Sequence, residues 1–223
     1  MRARRTVSVL SLVLLGSAPL VAQDAVKVAP ANYKVLVDNA SVRVLKIEYA
    51  PGAKSAMHQH PDAIVVPLVA SKVRFTMPDG KSEDSDLANE SAMYSPAGTH
   101  SPANVGTGPI EAILVEFKGA APGKAVLPTT RDNMTIKVLA EGARGAAYRT
   151  TAAPTFSEPA GSKHDYDQIV IALGAAQMSL SIDGKPAKTS WTRGEVAFIG
   201  RGVAHESKNT SGKPIDYVIV GVK

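Results

Sequence analysis

The sequence predicts an all-β chain built as two tandem antiparallel β-barrels or jelly rolls. Three observations predict it. The two halves of the 223-residue chain repeat one pattern: a histidine, an Asp-Gly pair, a second histidine, an asparagine four residues later and a proline nine residues later. Short β-rich runs recur, bounded mostly by Gly, Pro, Asn or Asp. No long stretch keeps the 3.6-residue period of a helix.

Taken in chain order, residues 1–22 read as a secretory signal peptide rather than as part of the fold. Arg2, Arg4 and Arg5 precede the apolar run Val7 to Leu15, and Ala18 to Ala22 offers small-residue cleavage positions before Gln23. The expected location is therefore periplasmic or secreted, with no membrane attachment after cleavage. The first barrel is expected over 30–119. Its strands are Lys34 to Val37, Val42 to Tyr49, Ile64 to Leu68 and Ile113 to Phe117, with Val73, Phe75 and Met77 alternating before Asp79-Gly80. Asp-Gly between alternating runs marks a hairpin, because glycine accepts positive φ without steric cost. The acidic stretch Lys81 to Glu90 reads as a solvated loop. Residues 120–130, with Gly123 and Pro128, form the linker. The second barrel is expected over 131–223, with Met178, Leu180 and Ile182 before Asp183-Gly184, and strands at Gln168 to Leu173 and Tyr217 to Val222.

Charge excludes one class of partner. The chain carries +5, but three arginines and no acid lie in 1–22, which leaves the remainder at about +2. No basic patch with interleaved aromatics occurs, so nucleic acid is not an expected partner. The absence of cysteine suits an oxidising compartment and rules out disulfide staples. No P-loop, dinucleotide fingerprint or nucleophile elbow is present.

All five histidines fall within the repeat. His58, His60 and His100 belong to the first half, His164 and His205 to the second. His60 and His100 are 40 residues apart, His164 and His205 are 41. Residues two apart on a strand share a face, so His58 and His60 can both point inward. A Pro-Gly turn would deliver His100 from a distant strand. Three neutral imidazoles leave coordination positions open, as a catalytic metal site requires. Asn104 and Asn209 are expected to fix turns. Trp191 is expected in a core or at a barrel mouth, and Tyr94 at the mouth of the first barrel.

These residues resemble the cupin family. Gly52, five residues and then His58-x-His60 reproduce the first cupin motif up to its histidines. Pro96-Ala97-Gly98-Thr99-His100 with Asn104 resembles the second, one residue short between glycine and histidine. Gly200-Arg201-Gly202-Val203-Ala204-His205 with Asn209 matches that motif at full length, with glycine for its leading proline. The resemblance spans nearly all of the chain after residue 22. It implies a bicupin of two double-stranded β-helix (jelly-roll) barrels, with three histidines and a glutamate as the usual metal set. Where the glutamate is expected, Ile64 and Val65 stand. Asp62 shares strand parity with the histidines and could replace it, although Pro61 disturbs the pleat. The chain is also similar to small bacterial cupins with a His-x-His-Pro-Asp signature. In the second half Ser162 replaces the first histidine and Gln168 the glutamate. That barrel is expected to be degenerate and metal-free; any second site would use His164, Gln168 and His205, with Asp165 or Asp167 near.

The resulting expectation is an exported bicupin with one divalent transition metal (Zn, Fe, Cu, Ni or Mn) on His58, His60, His100 and, if it substitutes, Asp62. The resemblance implies oxygenase, isomerase or decarboxylase chemistry on a small organic acid or sugar derivative, and a homodimer. No general base is identifiable. The alternative is a non-catalytic small-ligand or metal-binding protein with a structural second barrel.

Overall fold

A computed structural model describes residues 23–119 and 130–223. Residues 1–22, expected to be a signal peptide, and most of the expected linker lie outside the described residues. The first half opens with β1 (Gln23–Asp24) and a single helical turn, α1 (Ala25–Val28). It continues through β2 (Tyr33–Asp38), β3 (Val42–Tyr49), β4 (His58–His60), β5 (Ala63–Pro67), β6 (Ser71–Thr76), β7 (Ser82–Leu87), β8 (Met93–Ser95), β9 (Gly98–Asn104) and β10 (Ile110–Phe117). The second half runs through β11 (Thr130–Arg131), β12 (Met134–Glu141), β13 (Gly145–Ala152), β14 (Gln168–Ala172), β15 (Ala176–Ile182), β16 (Lys185–Trp191), β17 (Val196–Ile199), β18 (His205–Asn209) and β19 (Ile215–Val222). Among the described residues no helix is long and apolar enough to cross a membrane.

Each half folds as two facing sheets. The first pairs β1-β4-β9-β6-β7 with β2-β3-β10-β5-β8; the second pairs β11-β12-β13-β19-β14-β17 with β16-β15-β18. The register repeats between the halves. His100 lies opposite His58, and His205 opposite Ser162. Val115 lies opposite Ile64, and Val220 opposite Ile169. The all-β, two-barrel reading is what the chain adopts.

Three apolar clusters follow from strand parity. Tyr33, Leu45, Tyr49, Ile110 and Leu114 are among the residues filling the first barrel. Met134, Phe156, Met178, Trp191 and Tyr217 are among those filling the second; Trp191 donates its indole N–H to the Met178 carbonyl at 2.8 Å. The third cluster joins the barrels: Val42, Val44, Ile64, Ile113, Val115 and Phe117 meet Ala147, Ile169, Ile171, Val218, Val220 and Val222. β10 and β19 are thus buried on both faces, which is why their sequences run apolar without alternation.

Three features differ from the sequence reading. Lys81 to Glu90 is largely strand: β7 pairs with β6, setting Arg74 against Asp84 and Lys72 against Asp86. Its face is solvated, so polarity hid an outer strand whose inward residue is Leu87. The chain is packed on the barrel from Gln23, ahead of residue 30: β1 runs parallel to β4 and Ala25 is fully buried. The two Asp-Gly pairs also make different turns. Asp183 and Gly184 both have positive φ, the two-residue hairpin form. Asp79 does not; Gly80 alone is left-handed, and its N–H bonds the Met77 carbonyl.

Candidate functional site

β4 is three residues long and alternates buried, exposed, buried, so His58 and His60 enter the first barrel while Gln59 faces out. β9 pairs with β4 and brings His100 against both. The ring of His100 lies 5.2 Å from that of His58, 4.9 Å from that of His60 and 4.8 Å from that of Phe75, centre to centre. His58 Nδ1 meets the Ala56 carbonyl at 3.0 Å, and His60 Nδ1 meets the Pro61 carbonyl at 2.7 Å. Those contacts place the ring proton on Nδ1 and leave Nε2 as an inward lone pair, the outer-shell arrangement that metal-binding imidazoles use. Burial, then the charge of neighbouring imidazoles, holds His100 down to about 3. His58 is lowered too, by burial first. The His58 and His100 rings are therefore neutral and fit to ligate near pH 7.

The carboxylate of the resembled set is absent. Ala63 packs within the first barrel and Val65 lines its cavity, while Ile64 turns to the barrel–barrel cluster. Asp62 is not delivered to the imidazoles, contrary to its candidacy. Its carboxylate accepts the Ala97 N–H at 2.7 Å, and its carbonyl accepts the Phe117 N–H. Asp167 does the same in the second barrel, accepting from Arg201 and Val222. The His-x-His-Pro-Asp aspartate is thus a clamp on the turn before β9. In place of an acid, the Tyr33 hydroxyl sits 3.2 Å from His58 Nε2 and receives the Tyr49 hydroxyl proton at 3.0 Å. The imidazoles and both tyrosines line a cavity of about 260 Å³ walled otherwise mostly by hydrocarbon.

The second barrel holds a tighter set than its sequence promised. Glu158, His164 and His205 each bring a ligand atom within 4.8 Å of the others, and among the described residues no other His, Cys, Asp or Glu trio does so. A Glu158 oxygen is 3.4 Å from His205 Nε2 and the other is 3.7 Å from His164 Nε2. Donors around a four-coordinate metal at about 2.0–2.2 Å sit roughly 3.4 Å apart, so the trio fits an ion. Gln168 approaches His205 Nε2 at 3.3 Å through its amide, and Asp167 is spent on its turn. Arg131 and Ser207 also bond the Glu158 carboxylate. The cavity here is only about 30 Å³.

Glu158 escaped sequence reasoning because it lies outside both motifs. The repeat was the signal that locates it. Lys54 bridges Ala103 and Ser157 bridges Lys208, so Ser55 and Glu158 occupy the same station, each donating its N–H to the strand bearing the late histidine. The first barrel has serine there and histidine at 58; the second has glutamate there and serine at 162. The donor count of three is conserved by exchange. A metal-free second barrel does not follow from its histidine count.

No protein-family model and no curated protein matches the chain. Solved structures do. AerE from Microcystis aeruginosa is similar over 86% of this chain and 97% of its own, at 16% identity and a TM-score of 0.64. A cupin 2 conserved barrel domain protein from Leptotrichia buccalis is similar over 86% and 88%, at 12% identity and a TM-score of 0.58. The oxalate decarboxylase of Bacillus subtilis, described with Mn(II) centres, is similar over 86% and 75%, at 13% identity and a TM-score of 0.56. With the sheet order, the repeated register and the inward histidines already described, these likenesses show that the chain has the cupin fold, with two barrels in tandem.

Proposed function

We propose that this chain is a metal-dependent bicupin whose working site is the first barrel. There His58, His60 and His100 would hold one divalent transition metal at the end of a largely apolar cavity, and a small molecule would bind beside it. The observation that carries this reading is the joint one of three inward imidazoles, two with Nδ1 pinned by backbone carbonyls, opening onto a cavity of about 260 Å³. Such a metal would supply open coordination positions for dioxygen or a substrate oxygen. The chain's own groups do the rest. Hydrocarbon walls exclude water, the backbone carbonyls orient the rings, and the Tyr33 hydroxyl donates a hydrogen bond. Burial raises the Tyr33 pKa, so it keeps its proton. Among the described residues no carboxylate lines the cavity to act as a general base. Among oxygenase, isomerase and decarboxylase chemistry, oxygenase chemistry asks least of such a base and is the class this lining supports best.

The second barrel has its own reading. Its Glu158–His164–His205 trio is spaced for an ion but has no room for a substrate, which suits a closed structural site. Arg131, paired with Glu158, is the built-in competitor for that position.

Elemental analysis of wild type, His100→Ala and His205→Ala tests both readings. The first-barrel reading expects about one equivalent lost in His100→Ala, and the second-barrel reading expects a separate loss in His205→Ala. Retention of the full metal count in His100→Ala overturns the first-barrel reading. Oxygen uptake by the loaded protein against candidate substrates then tests the reaction class. Export is proposed on the character of residues 1–22; N-terminal sequencing of protein from the periplasm should begin at Gln23, and an intact Met1 there would refute cleavage.

A further inference from the structure

We infer that Arg131 and a divalent ion are alternative counter-charges for Glu158, so that ion binding in the second barrel expels the arginine and loosens β11. The inference rests on the reading of Glu158, His164 and His205 as an ion site, and it concerns how that site is guarded. The acceptors there converge on one another. His205 Nδ1 meets the Val203 carbonyl at 3.2 Å, which places the ring proton outward and turns the Nε2 lone pair toward a Glu158 oxygen 3.4 Å away. Both residues are buried. A lone pair facing a carboxylate is repulsive unless a cation lies between them. Ser207 donates to Glu158 Oε2 at 3.0 Å, and Arg131 Nη1 donates to Oε1 at 2.8 Å. Oε1 is also the oxygen that faces His164 Nε2, at 3.7 Å. An ion shared by Oε1 and His164 would therefore sit beside the guanidinium, like charge against like, in about 30 Å³ of largely apolar space. One cation or the other holds Glu158.

The arginine is placed to leave. Among the described residues no other Lys or Arg lines this cavity, so a buried carboxylate depends on Arg131 whenever no ion is bound. Yet the Arg131 side chain is 31% exposed, so water is within its reach. Its Nε is buried without a hydrogen-bond partner, and the docked state bears the cost of that donor. β11 is an edge strand joined to β12 alone, by the pairs Thr130–Thr135 and Arg131–Met134. Gln168 offers its amide N–H to His205 Nε2 at 3.3 Å; turned over, the same amide presents its oxygen and gives an ion a further donor. The first barrel is the internal control. It has Ser55 at the station of Glu158, and no Lys or Arg lines its cavity among the described residues. Glutamate and arginine occur together in one barrel, as a counter-charge requires.

Methionines report on both barrels. Met77 and Met93 line the first cavity, Met134 and Met178 the second. The test titrates zinc into chelator-treated His100→Ala protein carrying ¹³C-methyl methionine, with and without Arg131→Met. The expected result is saturable shifts at Met134 and Met178, with zinc bound roughly tenfold or more tightly once Arg131 is removed. Zinc should also speed amide exchange at Arg131 and Met134 where the arginine is retained; exchange slowed by zinc would overturn the loosening of β11. Equal or weaker zinc binding in the Arg131→Met protein overturns the inference and leaves the ion-site reading standing. No shift at Met134 and Met178 in either protein overturns both. Thermal midpoints give a second readout. Zinc should raise the midpoint of the Arg131→Met protein more than that of its parent, because the ion replaces the lost counter-charge. If the variant does not fold without zinc, folding restored by zinc is the same positive result, and failure to fold at any zinc level overturns the inference.

Discussion

At the scale of single residues, the two barrels show one donor set written in two ways. The exchange of Ser55 and His58 for Glu158 and Ser162 keeps three donors in each barrel but changes their charge. The first site has no carboxylate among the described residues and opens onto a cavity of about 260 Å³; the second carries a carboxylate and has only about 30 Å³ beside it. Neutral buried imidazoles also link stability to pH. His100 is held down to about 3, chiefly by burial, whereas an unfolded histidine titrates at about 6.5. Between those values the unfolded chain takes up a proton that the folded chain refuses. The contribution is therefore whole above about pH 6.5 and is lost progressively as pH falls toward 3. Thermal midpoints of the metal-free protein should decline from pH 7 to pH 5, and His100→Asn should decline less. Equal declines in the two proteins would show that His100 is not the group responsible.

At the scale of elements, what was legible depended on whether a residue's role is local. The β4 histidines, the Asp-Gly turns and the Pro–Gly approach to β9 are short-range patterns, and the sequence shows them. The asparagines behaved as turn-fixing residues should. Asn209 donates to the carbonyls of Ala152, Ala153 and Lys213, and its own oxygen accepts the Ser211 N–H. Asn104 makes the matching contacts to Tyr49, Gly108 and Gly106. Asn209→Ala strands several buried carbonyls and should cost about 2–4 kcal/mol at about 1–3 kcal/mol per unsatisfied group, read from urea unfolding. A loss within ~0.5 kcal/mol would show that the turn holds itself. Roles set by long-range pairing were not legible. Asp62 shares parity with the histidines, yet the turn 35 residues away claims its carboxylate. Glu158 is brought to His205 by a strand-like segment that no periodicity marks. β7 looked like a loop because an outer strand shows water its polar face.

At the scale of the whole molecule, the barrels share a core rather than a hinge. The cluster of Val42, Val44, Ile113, Val115 and Phe117 with Val218, Val220 and Val222 is as apolar as either barrel interior. Interfacial ion pairs such as Arg149–Glu90 and Arg193–Glu111 are partly solvated and contribute little beside it. At Gly145 the fit is too tight for a side chain: a Cβ there would meet the Phe117 ring at 2.3 Å and the Gly221 carbonyl at 2.9 Å. Gly145→Ala should therefore destabilise both barrels by about 1–3 kcal/mol, the usual cost of overpacking. Wild type should unfold in one calorimetric transition, with the variant's single transition shifted down. Two separated transitions in wild type would mean that the barrels are independent. The shared core also holds the face of β10 that lies behind the histidine cavity, so the second barrel supports the first whether or not it binds an ion.

The central claim is that three inward imidazoles in the first barrel form the working metal site. The most direct test is an anomalous-scattering map from crystals of protein loaded with zinc or cobalt. The account predicts a peak within coordinating distance of Nε2 of His58, His60 and His100, facing the cavity, with the Tyr33 hydroxyl displaced from His58. A first barrel without a peak, with or without one at Glu158, His164 and His205, would contradict it.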